Sequence, residues 1–73
     1  MTAKLAEYCS PRLKMCAHFH HDMRRTEYGK LPDGTEYAHY CCDDCGALLA
    51  VKMSPKGYRS HSVTDNTFEE CRK

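Results

Sequence analysis

Cys42-Asp43-Asp44-Cys45-Gly46 sets two thiols at the spacing where one tight turn presents both sulfurs to a single tetrahedral ion. The glycine after the second cysteine lets the chain reverse, because it has no Cβ to oppose a positive φ. Two thiolates fill half of such a site, so the remaining ligands must come from elsewhere in the chain. The richest source is the stretch holding Cys9, Cys16, His18, His20 and His21. Cys16 is the expected third ligand. His20 ranks first for the fourth, since a helix through both would stack Cys16 and His20 one turn apart. Cys9 ranks second, making a wide first knuckle with Cys16 in a four-cysteine site, and His18 ranks third, with His21 also in range. Cys41 is set aside because adjacent side chains on an extended strand point to opposite faces. Cys41, Cys71 and an unused Cys9 read as free thiols, and His39 and His61 as surface or packing residues.

The competing chemistry for Cys42-x-x-Cys45 is a redox dithiol, which needs the start of a helix to lower the thiol pKa. Gly46 and then Leu48-Leu49-Ala50-Val51 follow instead, the pattern of a turn and a strand. Catalytic zinc keeps an open position beside a carboxylate base. The chain has neither an HExxH pattern nor the HxE with CxxC arrangement of nucleotide deaminases. Asp43 and Asp44 read as residues that solvate the turn. The expectation is one structural Zn²⁺ in a closed site, in a protein that is not an enzyme.

The elements that hold such a site have little else to hold them. A chain of 73 residues with no Ile and no Trp buries too little apolar surface to be stable by packing alone. Six cysteines offer disulfides or metal as the staple. Met1 to Glu7 carries no apolar signal core, and no run approaches a membrane span, so the reading is cytoplasmic, where thiols stay reduced and bind metal. The formal charge is +1, and three thiolates with one divalent ion bring it to zero. A binder of bare nucleic acid would carry a large positive excess.

Thr2 is a cap for a short helix within residues 1–9, and Ser10-Pro11 is a stronger helix start, serine at the cap and proline at the first position. Strand-like runs at 25–30 and 35–40 flank Leu31-Pro32-Asp33-Gly34, a tight-turn sequence. Ala47 to Met53 reads as a central strand, Ser54-Pro55-Lys56-Gly57 as another turn, and Tyr58 to Val63 as a polar edge strand. Thr67-Phe68-Glu69-Glu70 suits one helical turn. The fold expected is a small metal-stabilised α+β domain over 1–73, core about 9–63, with an antiparallel sheet of three or four short strands and a short N-terminal helix.

The Cys42-x-x-Cys45-Gly46 motif at a hairpin exit, before an apolar strand, resembles the second knuckle of a zinc ribbon, with the hairpin between His20 and Cys42 as the usual insertion. The likeness covers about residues 16–53, and the first knuckle departs from it in lacking a CxxC. In size and architecture the chain also resembles compact transcription regulators encoded by bacteriophages. That likeness implies a monomer in the host cytoplasm that docks on RNA polymerase or an associated factor, with nucleic acid secondary. Arg24, Arg25, Lys30, Lys52 and Arg59 are the expected partner contacts, with Arg12, Lys14, Lys56 and the aromatic neighbours Tyr28, Tyr37 and Tyr58. An adaptor or inhibitor outside transcription, or a direct nucleic-acid binder, are the alternatives.

Overall fold

Leu5, Cys9 and Cys16 recur at helical spacing, and in the computed structural model, which describes residues 1–71, they form the buried face of one helix, α1 (Ala3–His18). Ser10-Pro11 starts no helix: Pro11 lies inside α1. Proline removes an N–H and crowds the preceding turn. Arg12 braces the same turn, its guanidinium donating to the Tyr8 carbonyl at 2.7 Å and lying 3.5 Å from the Tyr8 ring centroid. A continuous helix also keeps Leu5, Cys9 and Cys16 on one side, and burying that side outweighs a local start signal.

Thr2 is the cap, accepting the Leu5 N–H on its hydroxyl and passing its own proton to Glu36 Oε1 at 2.7 Å. Glu36 is 4% exposed and also accepts from the Tyr28 hydroxyl and the Thr2 N–H. A buried carboxylate thus sits at the positive end of the α1 dipole. Those hydrogen bonds, Tyr28 first and Thr2 next, hold its carboxyl below the ordinary glutamate range against the opposing effect of burial.

The sheet is fully antiparallel in the order β1 (Met23–Lys30), β2 (Glu36–Cys42), β3 (Leu48–Met53), β4 (Arg59–Val63), followed by a 3₁₀ turn, Asp65–Phe68. Two of its hairpins close alike. In Leu31-Pro32-Asp33-Gly34-Thr35 and Ser54-Pro55-Lys56-Gly57-Tyr58 the first N–H reaches the fifth carbonyl, at 2.8 Å in both, and the glycines have φ of 91° and 92°. Proline fixes φ in the turn and only glycine accepts the left-handed exit without strain. The turns pack on each other, since a Cβ at Gly34 would lie 2.8 Å from Pro55 Cγ.

Strand alternation turns Ala38, Tyr40 and Cys42 of β2 and Leu49, Val51 and Met53 of β3 towards α1, and these with Leu5 and Cys9 form the core. The register carries Arg59, His61 and Val63 of β4 onto the same face. An extra residue between Arg25 and Glu27 bulges β1. The bulge lets Arg25 and Tyr28 share the helix side, 5.8 Å from guanidinium to ring centroid. Tyr37, His39 and Cys41 face the opposite, uncovered side. No helix among the described residues is long and apolar enough to cross a membrane.

Candidate metal centre

Cys42 ends β2, and its N–H donates to the Ala47 carbonyl while its carbonyl accepts the Gly46 N–H, with Gly46 at φ 75°. This tight reversal brings the Asp44 and Cys45 N–H groups onto the Cys42 sulfur. Burial pushes that thiol up, but hydrogen bonds from its surroundings, the Asp44 N–H first and the Cys45 and Asp22 N–H groups with it, more than offset it, bringing it down to about 6.

The end of α1 brings a nitrogen donor to this turn. The His20 N–H bonds the Ala17 carbonyl and the His21 N–H the Cys16 carbonyl, with His20 at φ 64°. That is a Schellman ending with histidine where glycine is usual. The reversal sends His20 outwards to pair with Glu70 and swings His21 inwards, where it is 5% exposed. His21 Nδ1 lies 3.3 Å from Cys45 Sγ, and Nε2 lies 2.8 Å from the Glu69 carbonyl. A carbonyl only accepts, so the proton is on Nε2 and Nδ1 keeps its lone pair for a metal.

The third segment is C-terminal. After the 3₁₀ turn, the Cys71 N–H donates to the Phe19 carbonyl at 2.9 Å, and its sulfur comes 3.6 Å from that of Cys42. Burial, followed by the neighbouring Cys42 and Cys45 sulfurs, pushes the Cys71 thiol up to about 12. Three sulfurs this close cannot all be thiolates without a cation among them.

His21, Cys42, Cys45 and Cys71 have ligand atoms all within 4.8 Å of one another, close enough to hold a metal ion. A tetrahedral zinc site spaces its ligands about 3.8 Å apart for two sulfurs and about 3.5 Å for sulfur and nitrogen. The observed 3.6 Å and 3.3 Å fall near both values.

Two of the four expected ligands change. Cys16 is 3% exposed beneath the cluster but lies outside it, and burial, then the charge of nearby Cys42, raises its thiol. His20 faces solvent because the helix ends before reaching it. Cys71, read from the sequence as a free thiol, joins the cluster, and His21, ranked behind His20, takes the histidine place. Of the alternatives, Cys9 is buried in the core beside Tyr40, and His18 stacks edge-on against Phe19 at 5.2 Å. No local pattern marks His21 or Cys71. The one signal was the pairing of a spare cysteine with the Thr67 to Glu70 turn that returns the chain.

The expected partner contacts form no single patch. Arg24 pairs with Asp43 at 3.2 Å, Arg24 and Lys52 lie on the uncovered face, and Arg25, Lys30 and Arg59 lie on the helix side at opposite edges. Comparison with known proteins finds no match for this chain among protein-family models, curated proteins or solved structures.

Proposed function

We propose that this protein is a structural-zinc module that acts by binding another protein. The observation that carries the metal reading is the donor set, one imidazole nitrogen and three sulfurs all within 4.8 Å of one another, with the Cys42–Cys71 and His21–Cys45 spacings near those of a tetrahedral zinc site. Such soft ligands select zinc over calcium or magnesium, which prefer oxygen. Four protein ligands leave no open position for substrate, so the ion is structural and the chain is not an enzyme. Bound there, zinc supplies a cross-link between the end of α1, the Cys42–Cys45 reversal and the C-terminal segment. That is the staple a core of this size requires. The charge near zero favours a protein partner over bare nucleic acid. The narrower reading, docking on RNA polymerase or an associated factor, is supported by size and architecture alone.

Protein purified without added metal should hold close to one equivalent of zinc by elemental analysis and unfold when a strong chelator removes it. Iron in its place, or an intact fold without metal, rejects the zinc reading. Affinity capture from the source cell should recover a polymerase subunit or transcription factor. Salt-resistant binding to naked DNA with no such protein rejects the narrower one.

A further inference from the structure

Between α1 and β4 lies a cavity of about 280 Å³ with Leu49 and Cys16 at its floor and Met15, Val63 and Phe68 around it. Met15 is 51% and Phe68 56% exposed, so two large apolar side chains flank it in solvent.

The strand beside the cavity has a free edge. Thr64 N–H bonds the Leu48 carbonyl at 3.1 Å, one step beyond the Leu49–Val63 register pair. Antiparallel ladders alternate, so Ser62 and Ser60 bond to β3 and the backbone groups of His61 and Val63 turn outwards. β4 ends the sheet, and among the described residues no strand pairs with that edge.

One end of the groove is cationic. Arg12 and Arg59 both lie over the Tyr8 ring, at 3.5 and 5.4 Å from its centroid, and the Tyr8 hydroxyl meets His61 Nδ1 at 3.0 Å. Among the described residues neither arginine is in an ion pair and no carboxylate lines the cavity. Two unneutralised guanidiniums beside an apolar hole and an open strand edge specify an occupant by charge, shape and backbone at once.

We propose that this groove binds an extended acidic peptide of a protein partner, added to β4 as a further strand. A large apolar side chain of the peptide fills the cavity, and an Asp or Glu side chain meets Arg12 and Arg59. A side-chain carboxylate fits better than a chain terminus because the cationic end is built from side chains, not from the converging backbone N–H groups that hold a terminal carboxylate. The proposal rests on the protein-binding reading above and says where on the surface it operates.

The test uses the full zinc-loaded chain as bait for a library of randomised peptides displayed internally on a carrier protein. Enriched sequences should share an Asp or Glu at fixed spacing from a large apolar residue. A synthetic peptide of that sequence should bind the parent and lose about tenfold or more in affinity to Arg59→Glu and to Met15→Asp. His61→Pro, which removes an outward N–H that the sheet does not use, should weaken it similarly. Thr26→Glu, on the far edge strand, should not. Zinc content and circular dichroism of each variant establish that it is folded. Absence of the acidic-apolar pattern, or unchanged affinity in Arg59→Glu and Met15→Asp, overturns the proposal. So does self-association of the chain that Met15→Asp abolishes, which would give the groove to a second copy. A folded zinc-loaded chain whose protein partner binds all groove variants equally overturns the groove and leaves the module reading standing.

Discussion

His21 faces Cys45, 3.3 Å from Nδ1 to Sγ, because His20 before it takes a left-handed φ of 64° and absorbs the reversal at the end of α1. Neighbours in sequence thus have opposite fates. His21→Ala should lower metal affinity by more than the about 10–100-fold that loss of a supporting group costs. His20→Gly should keep full metal content, since glycine accepts that φ without strain. Competition with a chromogenic chelator measures both, and equal losses would show that the histidine ligand is misassigned.

With Nε2 held by the Glu69 carbonyl at 2.8 Å, metal should enter through Nδ1. Nitrogen-15 NMR of the zinc-loaded chain should find His21 alone among the five histidines locked as the Nε2–H tautomer with a metal-shifted Nδ1. The reverse tautomer would contradict the geometry.

Cys71 and Cys16 separate ligation from packing. Cys71→Ser should lose stoichiometric zinc. Cys16→Ala should retain it and destabilise the loaded protein by about 1–2 kcal/mol through the small cavity left under the site. Zinc analysis with chemical denaturation distinguishes them, and zinc loss in Cys16→Ala with retention in Cys71→Ser would restore Cys16 as the third ligand.

Glu36 makes the fold sensitive to acid. Its carboxyl is held below the ordinary value of 4.5 in the folded chain, by the Tyr28 and Thr2 hydrogen bonds. A depressed pKa contributes stability that is fully present above that ordinary value and is lost as pH falls through the folded one. Parent and Glu36→Gln should therefore differ most in denaturation midpoint near neutral pH and converge below pH 4.5. Both carry the same metal ligands, so proton competition at the thiolates cancels in the difference. A gap that persists in acid would show that the carboxylate charge is not what matters.

The stacked turns offer a paired measurement. Gly57→Ala meets no atom within 4 Å and should cost only the left-handed backbone strain of about 1–2 kcal/mol. Gly34→Ala adds a contact of 2.8 Å with Pro55 and should cost clearly more. Equal losses in thermal unfolding would mean the two turns do not pack against each other in solution.

Much of this architecture is legible in local chemistry. Pro32-Asp33-Gly34 and Pro55-Lys56-Gly57 demand turns because φ is preset at one position and a positive φ is tolerated at another. The Tyr- and Thr-rich runs on either side of the first turn and the apolar run from Ala47 to Met53 read as strands from residue type alone. Cys42, Cys45 and Gly46 make a sulfur-presenting reversal whatever surrounds them. The choice of the other two donors belongs to the tertiary structure. His20 or His21 depends on which residue takes the left-handed turn, and a non-glycine residue carries no mark of it. Cys71 depends on the chain returning from Val63 to Phe19, a contact between segments far apart in sequence. The continuity of α1 through Pro11 has the same origin, since burying Leu5, Cys9 and Cys16 together outweighs the local preference to begin a helix at Ser10. Short-range rules specify turns and strands because their energies act within a few residues. Which distant donors meet is set by how the helix and the C-terminal segment close on the sheet.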